Sequence, residues 1–247
     1  MNRLDNSVAL VTGASAGIGA ATARALAHLG ARVILAARRV DRLESLAKEL
    51  PGSRAVALDV RDAAAVQRVL GQEAIDIAVV NAGMGLGLGM LDEGTPEDWS
   101  TMIDTNLKGL LHTLRAVTPG MRARASGDVV LIGSVAGRQV YPGGNVYCAT
   151  KHAVRAVYEA LRIDFAGSGL RICTVDPGMV ISEFSNVRFK GDEEKAKKIY
   201  AGMTPLTPDD IADAIAFAVS RPRHVNIGEI VIWPTDQAST TMVKRKT

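Results

Sequence analysis

Short apolar runs and stretches of helical periodicity alternate along the chain from Val8 to about Val219. Val8 to Val11 has no polar position, as expected of a strand buried on both faces, and Gly17 to Leu29 repeats small and apolar residues at helical spacing. The same couple recurs twice. A strand over Arg32 to Ala36 precedes a helix from about Asp41 to Leu50, stopped by Pro51-Gly52, and a strand over Arg54 to Leu58 precedes a helix from Asp62 to about Glu73. A fourth strand, Ile75 to Val80, ends at Asn81-Ala82-Gly83. Thr95-Pro96-Glu97-Asp98 supplies an N-cap, a proline at the first helical position and an acid in the first turn, so a short helix starts there, and a long helix follows to about Met121. Strands over Val129 to Ile132 and Arg171 to Val175 flank a helix from Tyr147 to Phe165. Thr207-Pro208-Asp209-Asp210 caps one more helix before a last strand around Glu229 to Trp233.

Strands joined through helices run parallel, and right-handed crossovers place the helices on both faces of the sheet. The expected fold is therefore α/β, a doubly wound and mostly parallel sheet. No repeat or linker interrupts it, so all 247 residues are expected to form one domain. Only Met179 to Pro205, with a charged centre from Lys190 to Lys198, departs from the rhythm. It follows the end of a central strand, where doubly wound sheets bind ligands, and reads either as a short helical flap over a crevice or as a solvated excursion.

Composition narrows the function. Apolar residues make up 47% and charged residues 22%, an ordinary mixture for a packed soluble protein, while 4% aromatics and 24 glycines imply an aliphatic core with tight turns. The formal charge of +3 is scattered apart from Lys244-Arg245-Lys246, which makes nucleic acid a poor partner. Apolar runs fall well short of the roughly 18 residues of a membrane helix, and the opening residues resemble no targeting segment, so a cytoplasmic protein is expected. Cys148, Cys173 and four scattered histidines offer neither a disulfide framework nor a metal-ligand spacing.

The candidate chemistry begins at the turn after the first strand, Thr12-Gly13-Ala14-Ser15-Ala16-Gly17-Ile18-Gly19. Glycines there permit a tight turn and close backbone approach, leaving helix-start N–H groups to meet a pyrophosphate. The spacing of Gly13, Gly17 and Gly19 is not G-x-G-x-x-G; the strand before and the helix after carry the argument, and no Lys-Ser/Thr pair makes it a P-loop. The second strand ends in Ala36-Ala37-Arg38-Arg39, where an NAD site carries an acid for the ribose 2′-hydroxyl. Two guanidinium groups suit a 2′-phosphate instead, which selects NADP. Asp59 is placed to accept from the adenine amino group with Val60 beside the ring, or to cap a helix. Asn81, Ala82 and Gly83 lie where small residues let the cofactor's sugars pass, and Asn81 reads equally as a brace for neighbouring backbone.

Tyr147 and Lys151 share a helix face at i,i+4 spacing. A phenol is a poor base at neutral pH, but a nearby ammonium and a nicotinamide cation favour the phenolate, so the pair forms a tunable proton donor and acceptor. Ser134, at the end of the fifth strand, is placed to hold the reacting oxygen, and Asn106 to bind a water that links Lys151 to solvent. Singly, these residues also read as an ordinary aromatic, a surface charge, a cap and a backbone partner. Cys148 lacks a histidine to activate it locally and reads as helix core.

These residues resemble, over essentially the whole chain, the short-chain dehydrogenase/reductase superfamily. Thr12 to Gly19 matches its glycine motif, Asn81-Ala82-Gly83 the segment after strand four, and Asn106, Ser134, Tyr147 and Lys151 its active tetrad. Pro177-Gly178 matches the segment that contacts the nicotinamide end, which brings Val180 into the same set. The resemblance implies a seven-stranded Rossmann sheet in the order 3-2-1-4-5-6-7 and a homotetramer. Met102 to Asn106, Gly143 to Tyr147 and Glu183 to Asp192 further resemble the NADP-dependent 3-hydroxy acid dehydrogenases, also described as serine or allo-threonine dehydrogenases and malonic semialdehyde reductases. The implied substrate is a small hydroxy acid or semialdehyde. A reductase of sulfoacetaldehyde or of a neutral carbonyl is the alternative, and a non-catalytic NADP-binding protein a weaker one. An acidic substrate calls for a cation in the flap: Arg188 is the candidate clamp, or else a surface arginine, and Met179 lines the pocket or belongs to the core. This chain has Val80-Asn81 where the family usually has two asparagines, and its flap entrance, Gly178 to Glu183, is one residue shorter than in close relatives.

Replacing Arg38 and Arg39 together is expected to raise the Michaelis constant for NADP. An unchanged constant in initial-rate kinetics would mean that the two arginines merely face water.

Overall fold

The structure, a computed structural model, describes residues 3–246. Seven parallel strands form one sheet in the order β3-β2-β1-β4-β5-β6-β7: β1 (Val8–Thr12), β2 (Arg32–Ala37), β3 (Arg54–Ala57), β4 (Ile77–Val80), β5 (Gly127–Ile132), β6 (Leu170–Pro177) and β7 (Glu229–Ile232). The order is the one the family resemblance implies. Successive residues of the central strands enter opposite cores, because side chains alternate across a strand. Ala9 and Val11 of β1 and Ile77 and Val79 of β4 lie in one cluster, Leu10, Ala78 and Val80 in the other.

Helices close both faces. α1 (Gly17–His28) and α9 (Pro208–Val219) cover the first with Ala23, Leu26, Ile211, Ile215 and Val219, and α2 (Val40–Glu49) adds Leu43 and Leu46. On the second lie α3 (Ala63–Leu70), α5 (Gly109–Ala123) and α6 (Asn145–Asp164), whose inward residues Leu110, Leu114, Val117, Met121, Val154 and Tyr158 keep three- and four-residue spacing. Thr95 caps α4 (Pro96–Ile103) and Thr207 caps α9, each hydroxyl accepting the amide hydrogen three residues on. Among the described residues no helix is long and apolar enough to cross a membrane.

The short helix expected at Thr95 and the long one after it are present as α4 and α5, but the junction between them is not a simple break. Between α4 and α5, Asp104 to Lys108 forms a π-helical turn, which admits one extra residue and turns Asn106 into the interior. The periodicity of the sequence does not register that residue. The flap is also more structured than a solvated excursion: it holds two short helices, α7 (Phe184–Arg188) and α8 (Glu193–Lys198). β6 runs two residues past the expected Val175 because Asp176 and Pro177 pair with β7.

A buried ion pair ties the far end of the sheet together. Arg171 on β6 donates to both carboxylate oxygens of Asp128 on β5 at 2.6 and 2.7 Å, and to the carbonyls of Val219, the last residue of α9, and Arg221 just beyond it at 2.7 and 2.8 Å. Asp128→Asn leaves that guanidinium without its counter-charge. A loss of about 3 kcal/mol is expected, read in thermal unfolding as a Tm lower by about 9 °C.

Candidate active site

Connections leave β1 and β4 toward opposite faces, so a cleft opens along the C-terminal edge of the sheet between them. Its walls include Gly13, Ser15, Gly17 and Ile18 from the first turn, Arg38 and Arg39 past β2, Asp59 and Val60 past β3, and Asn81, Ala82 and Gly83 past β4. Ser134, Tyr147, Lys151, Pro177, Gly178 and Val180 complete the other end.

The floor is made by contacts between the strand ends. Gly13 sits at φ 69°, which a residue with a Cβ resists, and its amide donates to the Ala36 carbonyl at 2.8 Å. The buried Thr12 hydroxyl accepts from the amides of Asn81 and Ala82 at 3.0 and 3.1 Å, while Asn81 Nδ2 donates back to the Thr12 carbonyl at 2.8 Å. Thr12 therefore braces the floor rather than facing the cleft, and Asn81 both braces it and lines it. Gly19 is likewise outside the walls: a Cβ there would stand 2.7 Å from Asn81 Nδ2 and collide with the Gly13 carbonyl, so the missing side chain lets helix and turn pack.

At the β2 end, Arg39 donates from Nε and Nη2 to Ser15 Oγ at 3.1 and 3.0 Å, and Arg38 faces the cleft. Asp59 lines the cleft with its carboxylate engaged by Arg61, at 3.0 Å from Nε and 2.6 Å from Nη2, and this guanidinium holds the Asp59 carboxyl below the usual range. The Val60 carbonyl meets His112 Nδ1 at 2.9 Å.

At the other end, α6 presents Tyr147 and Lys151 one turn apart. Lys151 is buried, donates from Nζ to the Ile132 carbonyl at 2.8 Å, and lies 5.9 Å from the Tyr147 ring centre. Burial pulls its ammonium down to about 8, with the Asp176 carboxylate opposing. The Tyr147 phenol is pushed up, not down: burial outweighs the Arg188 charge and then the Ser134 hydroxyl, the two groups that favour the phenolate. The lowering expected of a nearby ammonium does not prevail because burial is the larger effect; the nearer cation over the ring is Arg188, whose guanidinium carbon lies 4.8 Å from its centre. Ser134 Oγ accepts from the Ala136 amide at 3.1 Å and donates to the Pro177 carbonyl at 3.4 Å.

The Asn106 side chain has a bracing part that the sequence did not suggest. Its Nδ2 hydrogens go to the Met84 carbonyl at 2.8 Å and Thr150 Oγ1 at 3.1 Å, and Oδ1 accepts from the Met84 amide at 2.8 Å. With both hydrogens engaged, the side chain fastens the loop after β4 to α6. Met179 is not among the cleft walls; its amide donates to Gln237 Oε1 at 2.9 Å.

Arg188 is buried rather than a surface arginine. Its Nη2 donates to the Tyr141 hydroxyl at 2.9 Å, its guanidinium carbon lies 4.9 Å from the Phe184 ring centre, and its Nε is buried with no hydrogen-bond partner. Gly85 makes room for it, since a Cβ there would come within 2.7 Å of Nη2. Sequence reasoning passed over Tyr141 and Phe184 as contacts of Arg188. Phe184 carried a signal, the i,i+4 spacing to Arg188 on a short helix; Tyr141, 47 residues away in sequence, carried none. It also passed over Ser182 and Glu183, which line the cleft from the flap. Among the described residues, no group of three or more His, Cys, Asp or Glu is arranged to hold a metal.

A parallel seven-stranded sheet with this glycine turn and a serine, tyrosine and lysine at one end of its cleft defines a dehydrogenase class, and the chain belongs to the short-chain dehydrogenase family, which matches residues 7–193. It is 44% identical over 238 residues to the NADP-dependent 3-hydroxy acid dehydrogenase YdfG of Escherichia coli (strain K12), covering 94% of this chain and 96% of that one. It is 41% identical over 257 residues to the NADP-dependent 3-hydroxy acid dehydrogenase of Schizosaccharomyces pombe, covering 100% and 99% of the two chains. Its fold is similar to that of the closed form of serine dehydrogenase complexed with NADP+, with a TM-score of 0.92 and 42% identity over 97% of this chain and 100% of that one. Serine dehydrogenase from Escherichia coli gives a TM-score of 0.82 at 39% identity, over 94% and 99%.

Proposed function

We infer that the chain is an NADP-dependent oxidoreductase that moves a hydride reversibly between the cofactor and the carbinol carbon of a small 3-hydroxy acid. The observation that carries the substrate reading is the Arg188 guanidinium, buried against Tyr147 with its Nε unpartnered. An unpaired buried charge is costly, and a substrate carboxylate beside the reacting carbon relieves that cost through charge-assisted hydrogen bonds. A sulfonate offers the same charge; a neutral carbonyl leaves the guanidinium unmatched. The printed names of the relatives, 3-hydroxy acid and serine dehydrogenases, favour the carboxylate.

The cleft fits NADP. The turn at Gly13, Gly17 and Ile18 leaves open backbone for a pyrophosphate, and Arg38 with Arg39 and Ser15 offers N–H and O–H donors to a 2′-phosphate. Asp59, Val60, Asn81, Ala82, Gly83, Pro177, Gly178 and Val180 supply the remaining contacts. When bound, NADP+ supplies the hydride acceptor. Ser134 holds the substrate oxygen, Tyr147 takes its proton during oxidation and returns it during reduction, and Lys151 supplies the positive charge that favours the phenolate. Asn106 keeps the Met84 loop fixed to α6, and a water link beyond Lys151 runs past main-chain groups there. Exposed Leu111, Ile163, Phe217 and Val231 support the homo-oligomer that the family resemblance implies, and the two free, buried cysteines suit a cytoplasmic setting.

A panel of serine, allo-threonine, 3-hydroxypropionate, isethionate and simple alcohols tests the substrate class, with wild type and Arg188→Met compared. The acidic substrates are expected to lose about 100-fold in kcat/KM in the variant, the scale of a broken charge-assisted contact, while alcohols change little. Wild-type turnover confined to neutral alcohols would sink the reading. Reduction needs Tyr147 and Lys151 both protonated, and a lysine lowered to about 8 loses its proton as pH rises through that value. The carbonyl-reduction rate is therefore expected to fall above about pH 8, and the residual rate of Lys151→Met to lack that inflection.

A further inference from the structure

The flap has an anchor at the end of the cleft away from Tyr147. Glu183, the residue before α7, reaches two arginines distant in sequence: its Oε2 accepts from Arg39 Nη1 at 2.8 Å and its Oε1 from Arg42 Nη1 at 2.6 Å. Just before it, Ser182 lies on the glycine turn, with its Cβ 3.4 Å from where a Cβ of Gly17 would stand. Just after it, Phe184 meets Tyr147 edge to ring at 5.5 Å between centres, and Arg188 reaches Tyr141. Residues 182 to 188 thus cross the cleft from the arginines to the catalytic end.

The two arginines are not equivalent. Arg39 lines the cleft, while Arg42, on α2, is outside its walls and among the described residues has Glu183 as its single hydrogen-bond partner. A guanidinium carries five N–H donors. Arg39 uses three nitrogens on Ser15 and Glu183, leaving two hydrogens, and Arg38 makes no hydrogen bond among the described residues. A 2′-phosphate therefore finds free donors without evicting Glu183. A carboxylate that merely filled the phosphate site until the cofactor came would have no use for Arg42, which stands behind that site.

On the NADP reading given above, we propose that Glu183 is the tether that keeps the flap closed over bound NADP(H), with Arg42 as its dedicated anchor and Arg39 shared with the cofactor's phosphate. Release of the cofactor then waits for the carboxylate to leave its arginines. Glu183 and Arg42 are positioning residues: neither touches the reacting atoms, and both set how long the cleft stays shut.

The test is the dissociation rate of NADPH, followed by loss of its fluorescence on mixing the preformed complex with excess NADP+, for wild type, Glu183→Gln, Arg42→Gln and the double variant. Half-exposed ion pairs are individually weak, so Glu183→Gln is expected to speed release about fivefold and Arg42→Gln about threefold. The double variant should be no faster than Glu183→Gln alone, because Glu183→Gln already breaks the contact that Arg42→Gln removes. Slower release or tighter NADPH binding in Glu183→Gln overturns the tether in favour of a competing anion, and unchanged or multiplicative rates overturn it outright. If Glu183→Gln fails to fold, the exposed Arg42→Gln carries the same decision alone. No hydroxy acid is present, so the outcome is independent of the substrate class. A wild type that holds no NADPH overturns the cofactor reading and the tether together, whereas a wild type that holds it beside variants that release it no faster overturns the tether only.

Discussion

The Thr12 hydroxyl, buried where β1 and β4 part, accepts the amide hydrogens of Asn81 and Ala82, and the arrangement of the cleft follows from that joint. Parallel strands that send their connections to opposite faces leave their last amides without partners, and a buried amide without a partner is costly. Thr12 and the Asn81 side chain satisfy these groups from within, so the strand ends are fixed while the space above them stays open. The glycine turn rests on this floor, with the bare α-carbons of Gly13 and Gly19 packed against Asn81. The proposed cofactor cradle is thus a consequence of how two strand ends complete each other's hydrogen bonds.

At the far end, burial and charge oppose one another. Removing Tyr147 and Lys151 from water stabilises the neutral form of each, raising the phenol and lowering the ammonium. Their proton affinities, close together in water, are thereby driven apart, with the phenol holding its proton more tightly than the ammonium. Arg188 adds a second cation, 4.8 Å from the centre of the Tyr147 ring. In the proposed reaction that cation faces both the substrate's carboxylate and the ring that handles its proton, so recognition and acid–base chemistry share one guanidinium.

Much of the framework was legible in the sequence because it rests on local periodicity. Apolar runs four to six residues long marked the strands, Thr95 and Thr207 marked helix starts, and the family resemblance carried the sheet order. The cleft residues at 13, 15, 38, 39, 134, 147 and 151 followed from strand ends and one i,i+4 pair. What stayed hidden depends on contacts between distant segments. Thr12 reads as a loop residue until its hydroxyl is seen to brace β4, and no spacing shows that the Asn106 side chain holds Met84 and Thr150. Neither Tyr141 against Arg188 nor Arg42 against Glu183 is implied by any spacing, and the direction of the Tyr147 shift depends on burial that a sequence does not state.

The π-helical turn at Asp104 to Lys108 makes length, as well as composition, part of the site's specification. One residue occupies about 100° of an α-helix, so α4 and α5 are out of phase by that angle across the turn. Deleting any single residue there would restore a continuous helix and preserve most of its side-chain types. It would also swing the inward residue of the turn away from Met84 and Thr150, releasing the loop that Asn106 holds. This segment therefore accepts changes of identity at its outer positions more readily than a change in the number of its residues.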